Sequence, residues 1–337
     1  MKEYLLAICI PTYNRSSFLK GLLENIYSEL EASENVRNVQ IVVVDGNSSD
    51  NTAEVVTQFE DKLSLKYFKR EKREGIDKDI LKCVELSDGK YCWLFSDDDR
   101  LASGSISHIL KLLSHEKNLT GCFCNRIPYD SHMERRVAEI KGWPGKIIKA
   151  DRIFKDKAEL FKCIGMDFGF ISSQVVKRST WQEIADNEVF GDLSNTYYLM
   201  AHIIARMMDR EFKWLYISNP LVKQRTGNDS FLEQEGIVKR QLIEHNSFQI
   251  ILDRHYNKES KVRKKFFSKM VDRLPRAIAN LKSQHIGYRL QYRLLKLYYN
   301  KYKHYLAFWF KVIPVFFVPN IIFSIVKRLY FKYLVRC

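Results

Sequence analysis

Tyr91-Cys92-Trp93-Leu94-Phe95-Ser96-Asp97-Asp98-Asp99 passes from an apolar run directly into three adjacent carboxylates. The apolar part is short and rich in aromatic side chains, so it reads as a buried strand with an acidic exit. The same pattern occurs twice upstream. Leu5-Leu6-Ala7-Ile8-Cys9-Ile10 is a strand that stops at Pro11, and Val39–Val44 is a second that stops in the turn cluster Asp45-Gly46-Asn47-Ser48-Ser49-Asp50. Leu65–Phe68 is a third strand. Helical spacing fills the intervals. Leu19, Leu22, Leu23, Ile26 and Leu30 recur on one face after Ser16 or Ser17, a helix follows from about Thr52, and another spans Ile76–Leu86. The order β-α-β-α-β-α-β predicts an α/β fold with a mostly parallel sheet flanked by helices.

In such sheets ligands bind outside the carboxyl ends of the strands. Three polar clusters fall at those ends: Thr12-Tyr13-Asn14-Arg15, Asp45 to Asp50, and Ser96 to Asp99. Three adjacent carboxylates repel one another unless a cation or several donors offset them. A hard divalent cation, Mn²⁺ or Mg²⁺, shared with substrate phosphates suits Asp97, Asp98 and Asp99. In isolation they would more often form a solvated turn or cap a helix near Ser103 than bind a metal, and their place at a strand end beside two other polar rims reverses that. Asp45 can accept from a ribose or a base, or close an Asx turn. Thr12, Tyr13 and Arg15 can hold a nucleotide by backbone contact, stacking and charge, or form an ordinary strand exit. Gly75 permits close backbone approach, and Asp77, Lys78 and Asp79 either touch a donor sugar or solvate a helix start.

The chain has 337 residues, 46% hydrophobic and 28% charged, with no sign of disorder. Its net charge of +15 is concentrated late: residues 239–337 carry 22 Lys and Arg against 4 Asp and Glu. That imbalance attracts anionic lipid, phosphorylated substrates or nucleic acid. The seven cysteines are scattered without a CxxC pair, which suits reduced thiols in a cytoplasmic protein. Six apolar residues at Leu5–Ile10 are too few for a signal peptide.

Further along, Ser105–Ser114 reads as a helix, Gly121–Ile127 and Phe168–Val176 as strands, Thr196–Met208 as a helix, and Trp214–Ile217 as a short strand. From about residue 233 long basic, aromatic helices begin. Tyr305–Val326 carries one charge, Lys311, and two prolines, Pro314 and Pro319. Its length would span a bilayer, but its prolines and basic flanks favour a segment lying on the membrane surface.

Ile8 to Arg15, Val42 to Thr52 and Leu94 to Asp99 together resemble the family 2 glycosyltransferases of the GT-A fold, over roughly residues 4–125. The resemblance implies that Pro11, Thr12, Tyr13, Asp45 and Asp97 contact the nucleoside, and that Asp99 ligates the metal with Asp97 reaching it through water. The family turn usually has a second acid beside Asp45, where this chain has Gly46. A narrower resemblance, carried by Gly75–Ile80 and Asp88–Asp99, is to the abequosyltransferase group of bacterial O-antigen synthesis. It implies a CDP-linked 3,6-dideoxyhexose donor and a polyprenyl-diphosphate oligosaccharide acceptor, and the basic, aromatic C-terminal region fits a peripheral position on the inner face of the cell membrane.

These expectations divide the chain into a glycosyltransferase domain over 1–232, with donor binding in 1–125 and the acceptor side in 126–232, and a membrane-associating helical region over 233–337. The base that would deprotonate the acceptor is sought beyond the metal motif, at Asp167 or Asp192. Asp192 is favoured because it precedes the helix beginning near Asn195, where the family resemblance places the base, although either acid could also cap a helix or sit in a solvated loop. A retaining reaction would need no such base, and Asp192 would then orient the acceptor. His202 is a core histidine or an acceptor ligand, and Arg225 is a candidate to hold phosphate. Two rivals stand beside this reading. A sugar nucleotidyltransferase would carry a Gly-rich basic loop after its first strand, which Pro11 to Arg15 lacks. A non-catalytic basic membrane or nucleic-acid-binding protein would show basic rims, and these rims are acidic, which argues against nucleic acid.

Overall fold

The computed structural model describes residues 4–32, 38–137, 148–188, 190, 197–210, 212–228, 230–257, 260–282 and 286–325. Two compact units emerge: 1–229 with 247–255, and 230–246 with 256–337.

The first unit is built on a sheet whose nine described strands are β1 (Tyr4–Thr12), β2 (Val39–Asp45), β3 (Leu65–Lys69), β4 (Gly89–Leu94), β5 (Arg100–Leu101), β6 (Gly121–Tyr129), β7 (Arg152–Phe154), β8 (Gln174–Lys177) and β9 (Trp214–Arg225). They lie in the order β3-β2-β1-β4-β8-β6-β9-β5, with β7 on β9. The β3-β2-β1-β4 half is parallel, as alternating strands and helices require. Beyond β4 the sheet is mixed: β8 runs against β4 and β6, while β6 and β9 are parallel. The chain steps outward from β1 to β3 and then returns across β1 to β4, so a topological switch point lies between the exits of β1 and β4.

Helices α1 (Ser16–Glu31), α2 (Thr52–Thr57), α3 (Ile76–Leu86), α4 (Ser105–His115), α5 (Lys157–Ile164), α6 (Arg178–Asn187) and α7 (Leu199–Arg210) belong to this unit. The apolar stripe of α1, Leu19, Leu22, Leu23, Ile26 and Leu30, is buried in one core cluster with Leu6, Ile8 and Ile10 of β1, Ile41 and Val43 of β2, and Trp93 of β4. Five of the cysteines, Cys9, Cys83, Cys92, Cys122 and Cys124, are free and buried.

Two expectations change. Phe168–Val176 is strand only from Gln174, because Gly165–Gly169 and Ile171–Ser173 curl into 3-10 turns. The Gln174 amide secures them by donating to the carbonyls of Phe168 and Phe170 at 3.3 Å each. β9 is far longer than Trp214–Ile217. It continues through Pro220 by way of register shifts opposite Asn125, whose amide donates to the Ser218 carbonyl at 2.9 Å. A bulge of this kind lets a strand hold a proline and redirects its end.

In the second unit, α8 (Ser230–His255) contributes its part before residue 247, and α9 (Lys261–Lys282), α10 (Tyr288–Tyr302) and α11 (Ile313–Phe317) follow. Phe266, Phe267, Met270, Leu294, Tyr298, Tyr302 and Phe308 form its buried interior. Among the described residues no helix is long and apolar enough to cross a membrane. Pro314 lies in the first turn of α11 and Val318 turns out of helix before Pro319, so the apolar run breaks into short pieces.

Candidate donor-binding site

The site begins with register. Thr12 and Asp45 end β1 and β2 as direct partners, and the Gly46 amide donates to the Thr12 carbonyl at 2.9 Å. Phe95 continues β4 by donating to Cys9. Strand pairing alone therefore brings the three polar clusters to one rim.

Side chains then tie the exits together. Thr12 Oγ1 donates to Asp97 Oδ2 at 2.8 Å. Arg15 forks across two acids, Nη1 to Asp97 Oδ1 at 3.0 Å and Nη2 to Asp98 Oδ2 at 2.9 Å. Asn14 adopts φ 53°, a left-handed conformation that asparagine tolerates. From there its Oδ1 accepts from the Ser49 amide at 2.8 Å, while its own amide donates to Ser48 Oγ at 2.8 Å. Asp45 is buried, with Oδ1 accepting from the Ser48 amide at 2.7 Å and Oδ2 from the Tyr67 hydroxyl at 2.8 Å. The Arg73 guanidinium lies over the Tyr13 ring, 4.2 Å from its centroid.

Asp99 is held from the far half of the sheet. Ser172 Oγ donates to its Oδ2 at 2.6 Å, and the Arg225 amide to its Oδ1 at 2.9 Å. Ser172 is fixed in turn by Trp93 Nε1, which donates to its carbonyl at 2.8 Å. Arg225 Nε donates to the Asp98 carbonyl at 2.9 Å, and Asn228 to Asp98 Oδ2 at 2.9 Å. Arg15 and Arg225 both lie over the Phe18 ring, at 5.0 and 4.9 Å.

The electrostatics follow from burial. Desolvation pushes Asp97 up to about 7 against the pull of Arg15. Desolvation, with the Asp98 charge added, pushes Asp99 up to about 8. Burial works to lower the Arg15 pKa, but the charges of Asp97 and Asp98 outweigh it. Burial and the neighbouring Arg225 bring Arg100 down to about 10, still cationic at neutral pH. The two buried acids thus have too few donors to hold both negative charges comfortably, a condition that an added cation relieves. Among the described residues no three His, Cys, Asp or Glu side chains converge on one point. A cation at this rim would use one or two carboxylates and complete its shell with phosphate oxygens and water, the habit of Mg²⁺ and Mn²⁺.

The other sequence candidates are distributed around this rim. Gly75 precedes α3 at φ 93° and ψ 160°, a backbone region closed to side chains. Lys78 is exposed and donates to Glu74 Oε1 at 3.1 Å. Asp77, for which the sequence left a donor-sugar contact and a helix start both open, receives the amides of Tyr197 at 2.8 Å and Leu199 at 3.2 Å, and so caps α7 from another element. His202 is not brought to the rim. It is buried on α7 with its Nδ1 2.8 Å from His255 Nε2 and its Nε2 3.4 Å from Glu188, and burial lowers its pKa to about 4. Asp167 pairs with Arg126 at 2.6 Å. Asp192 lies outside the described residues. Sequence reasoning put Asn14 at the rim without giving it a role, and missed Ser172 and Asn228. The Pro11-Thr12-Tyr13-Asn14 turn carried a signal for Asn14, whereas the other two have none within their own segments.

Comparison with known proteins places the chain by family and by fold. The family model described as glycosyl transferase family 2 matches residues 7–175. The chain is 27% identical over 283 residues to abequosyltransferase RfbV of Salmonella typhimurium, covering 80% of this chain and 81% of that protein. It is 28% identical over 108 residues to the GalNAc(5)-diNAcBac-PP-undecaprenol beta-1,3-glucosyltransferase of Campylobacter jejuni, 32% of this chain and 33% of that one. Among solved structures, the mannosyltransferase PcManGT of Pyrobaculum calidifontis in complex with GDP-Man and Mn²⁺ superposes with a TM-score of 0.55 at 13% identity, covering 98% of this chain and 88% of that one. The fold is of the GT-A type, and the chain belongs to glycosyltransferase family 2.

Proposed function

We propose that this glycosyltransferase moves a 3,6-dideoxyhexose from a CDP-linked donor to a polyprenyl-diphosphate-linked oligosaccharide during surface polysaccharide assembly. One observation carries the reading: Thr12 and Asp45 end neighbouring strands in register, Thr12 bonds to Asp97 across the sheet, and Asp99 is held two residues further on by Ser172, so the acids line one rim. The similarity to the Salmonella abequosyltransferase over most of both chains supports the sugar, and the undecaprenol-linked substrate in the Campylobacter relative's name supports the acceptor class.

Pro11, Thr12, Tyr13 and Asp45 bind the nucleoside, and Asp97 shares itself between ribose and metal. Arg15 and Arg225 orient the acids and place positive charge beside the diphosphate. Asp99, with Asp97, holds Mn²⁺ or Mg²⁺. Such an ion, when bound, neutralises the diphosphate as it leaves. Gly75 lets the backbone approach the donor, and Lys78 touches the donor sugar. Asp192 takes the acceptor proton in an inverting reaction or orients the acceptor in a retaining one.

Membrane docking falls to the second unit. Leu306, Phe310 and Phe317 are 77%, 79% and 76% exposed, and Trp309 is 43% exposed. Apolar side chains this open, among lysines and arginines, suit the interface of an anionic leaflet, where each cation contributes on the order of 1 kcal/mol.

The test is binding of UDP-, GDP-, CDP- and dTDP-sugars with and without Mn²⁺, followed by transfer to a polyprenyl-diphosphate acceptor. CDP-sugar binding that strengthens with Mn²⁺ and weakens in Asp99→Ala supports the proposal. Absence of binding by any nucleotide sugar overturns it.

A further inference from the structure

Gly46 stands beside Asp45 without a side chain, and the space a Cβ would occupy there is already taken. A Cβ built on Gly46 would lie 2.9 Å from Asp79 Oδ2, and 3.5 Å from the Tyr13 Cβ and Cδ2 atoms. Asp79 comes from the first turn of α3, 33 positions further along the sequence. Its carboxylate therefore projects into the volume that a longer side chain at position 46 would fill, against the ring of Tyr13.

Asp79 is held in place from one side only. Arg70 Nε donates to its Oδ1, and the same guanidinium pairs with Glu74 and donates to the Lys78 carbonyl at 2.7 Å. The Asp79 side chain is 5% exposed, yet its Oδ2 accepts no hydrogen bond from a described residue. Burial raises its pKa even with Arg70 beside it, and the charges of Glu74 and Asp45 add to the rise. Asp45, by contrast, already has a partner on each oxygen, at 2.7 and 2.8 Å. Of these two acids flanking Tyr13 and Gly46, the one with an oxygen still lacking a donor is Asp79.

We infer that Asp79 is the residue that reads the nucleobase of the donor, and that the group it accepts from is the exocyclic amino group of cytosine. This rests on the donor-site reading above. The base would stack against Tyr13, whose ring is covered by Arg73, and turn its edge to Asp79 Oδ2. Uracil offers a single ring N–H between two carbonyl oxygens, and those oxygens would face the acids Asp45 and Asp79. Cytosine offers two N–H on one amino group with a ring acceptor beside it. A carboxylate accepting from cytosine N4 is the pairing acidic side chains make with that base. Gly46 is then a requirement of this arrangement, since an acid at 46 and Asp79 would compete for one volume.

The experiment is calorimetric binding of CDP, UDP and GDP to the full-length protein with Mn²⁺, comparing wild type with Asp79→Asn. The amide keeps the shape of the side chain. With its oxygen retained by Arg70, it turns a donor toward the base. The wild type is expected to prefer CDP over UDP, and Asp79→Asn to lose CDP affinity by roughly ten-fold or more, bringing the two nucleotides level. An unchanged CDP-to-UDP ratio in a variant with wild-type melting temperature overturns the inference. A second measurement needs no variant: the CDP analogue lacking the 4-amino group should bind wild type roughly ten-fold more weakly than CDP, and equal binding overturns the inference as well. If the wild type binds no nucleoside diphosphate at all, the donor-site reading itself fails, a result distinct from either of these.

Discussion

Replacing Asp99 by asparagine should make the metal-free protein more stable at alkaline pH while removing its metal-assisted nucleotide binding. Asp99 is 2% exposed and carries an acidic neighbour in Asp98, and its carboxyl is pushed from 3.8 to about 8. Because the folded value lies above the unfolded one, the protonated form favours folding. That stability is fully present below about pH 4 and is lost as pH rises toward 8. A displacement of one pH unit corresponds to about 1.4 kcal/mol, so the whole rise sets a ceiling near ~6 kcal/mol. Local rearrangement and water entry reduce such penalties, leaving on the order of 2 kcal/mol for Asp99→Asn to recover near pH 8.5. With about 2.1 cal/mol/K of unfolding entropy per residue, a chain of 337 residues gains about 1.4 °C per kcal/mol, so the variant should melt ~3 °C higher at that pH and close to wild type at about pH 4.5. The assay is a melting curve against pH in EDTA, repeated with Mn²⁺. Added Mn²⁺ should raise the alkaline arm of the wild type and leave the variant unmoved. Parallel melting curves for the two proteins across this pH range would refute the claim that Asp99 is a buried acid whose charge calls for a cation.

Four further outcomes rest on single features. Gly75→Ala places a side chain at φ 93° and should cost about 1–3 kcal/mol, read as a lower melting temperature; an unchanged one would remove the strain argument. Asp77→Ala should cost about 1 kcal/mol by uncapping α7, read as a lower melting temperature, with only part of the loss restored by Asp77→Asn, whose amide keeps one of the two acceptor oxygens, and a larger effect on acceptor KM than on donor binding. Arg15→Met should weaken donor binding and remove the charge that holds Asp97 down; a carbon-13 titration is expected to show the Asp97 midpoint rising above its wild-type position of about 7, and a midpoint that stays put would deny the pairing. Phe310→Glu combined with Phe317→Glu should abolish flotation with anionic vesicles at unchanged melting temperature, since both rings are exposed; undiminished flotation would move membrane contact elsewhere.

The parallel half of the sheet and the rim it forms were legible because their signals are local. Short apolar runs set the strands, and helical spacing between them required parallel crossovers. Once β1, β2 and β4 were parallel neighbours, Thr12, Asp45 and Asp97 had to share one edge. The mixed half was less legible. The curl before Gln174 comes from an amide bonding back to its own loop, and β9 runs past Pro220 only because the register shifts opposite Asn125.

By itself, then, the amino-acid sequence determined the fold class, the acidic rim and the basic, aromatic character of the late helices, all of which depend on neighbours in the chain. Tertiary structure decided how each acid is used. Ser172 and Arg225 reach Asp99 from 73 and 126 residues away, and Asp77 turns from the rim to cap a helix that begins at Leu199. His202, an open choice in the sequence, is committed to His255 and Glu188. The missing side chain at Gly46 gained meaning only when α3 set Asp79 beside it. The reason is physical: an apolar period specifies which face is buried, whereas a carboxylate's role depends on the donors that distant segments bring within about 3 Å.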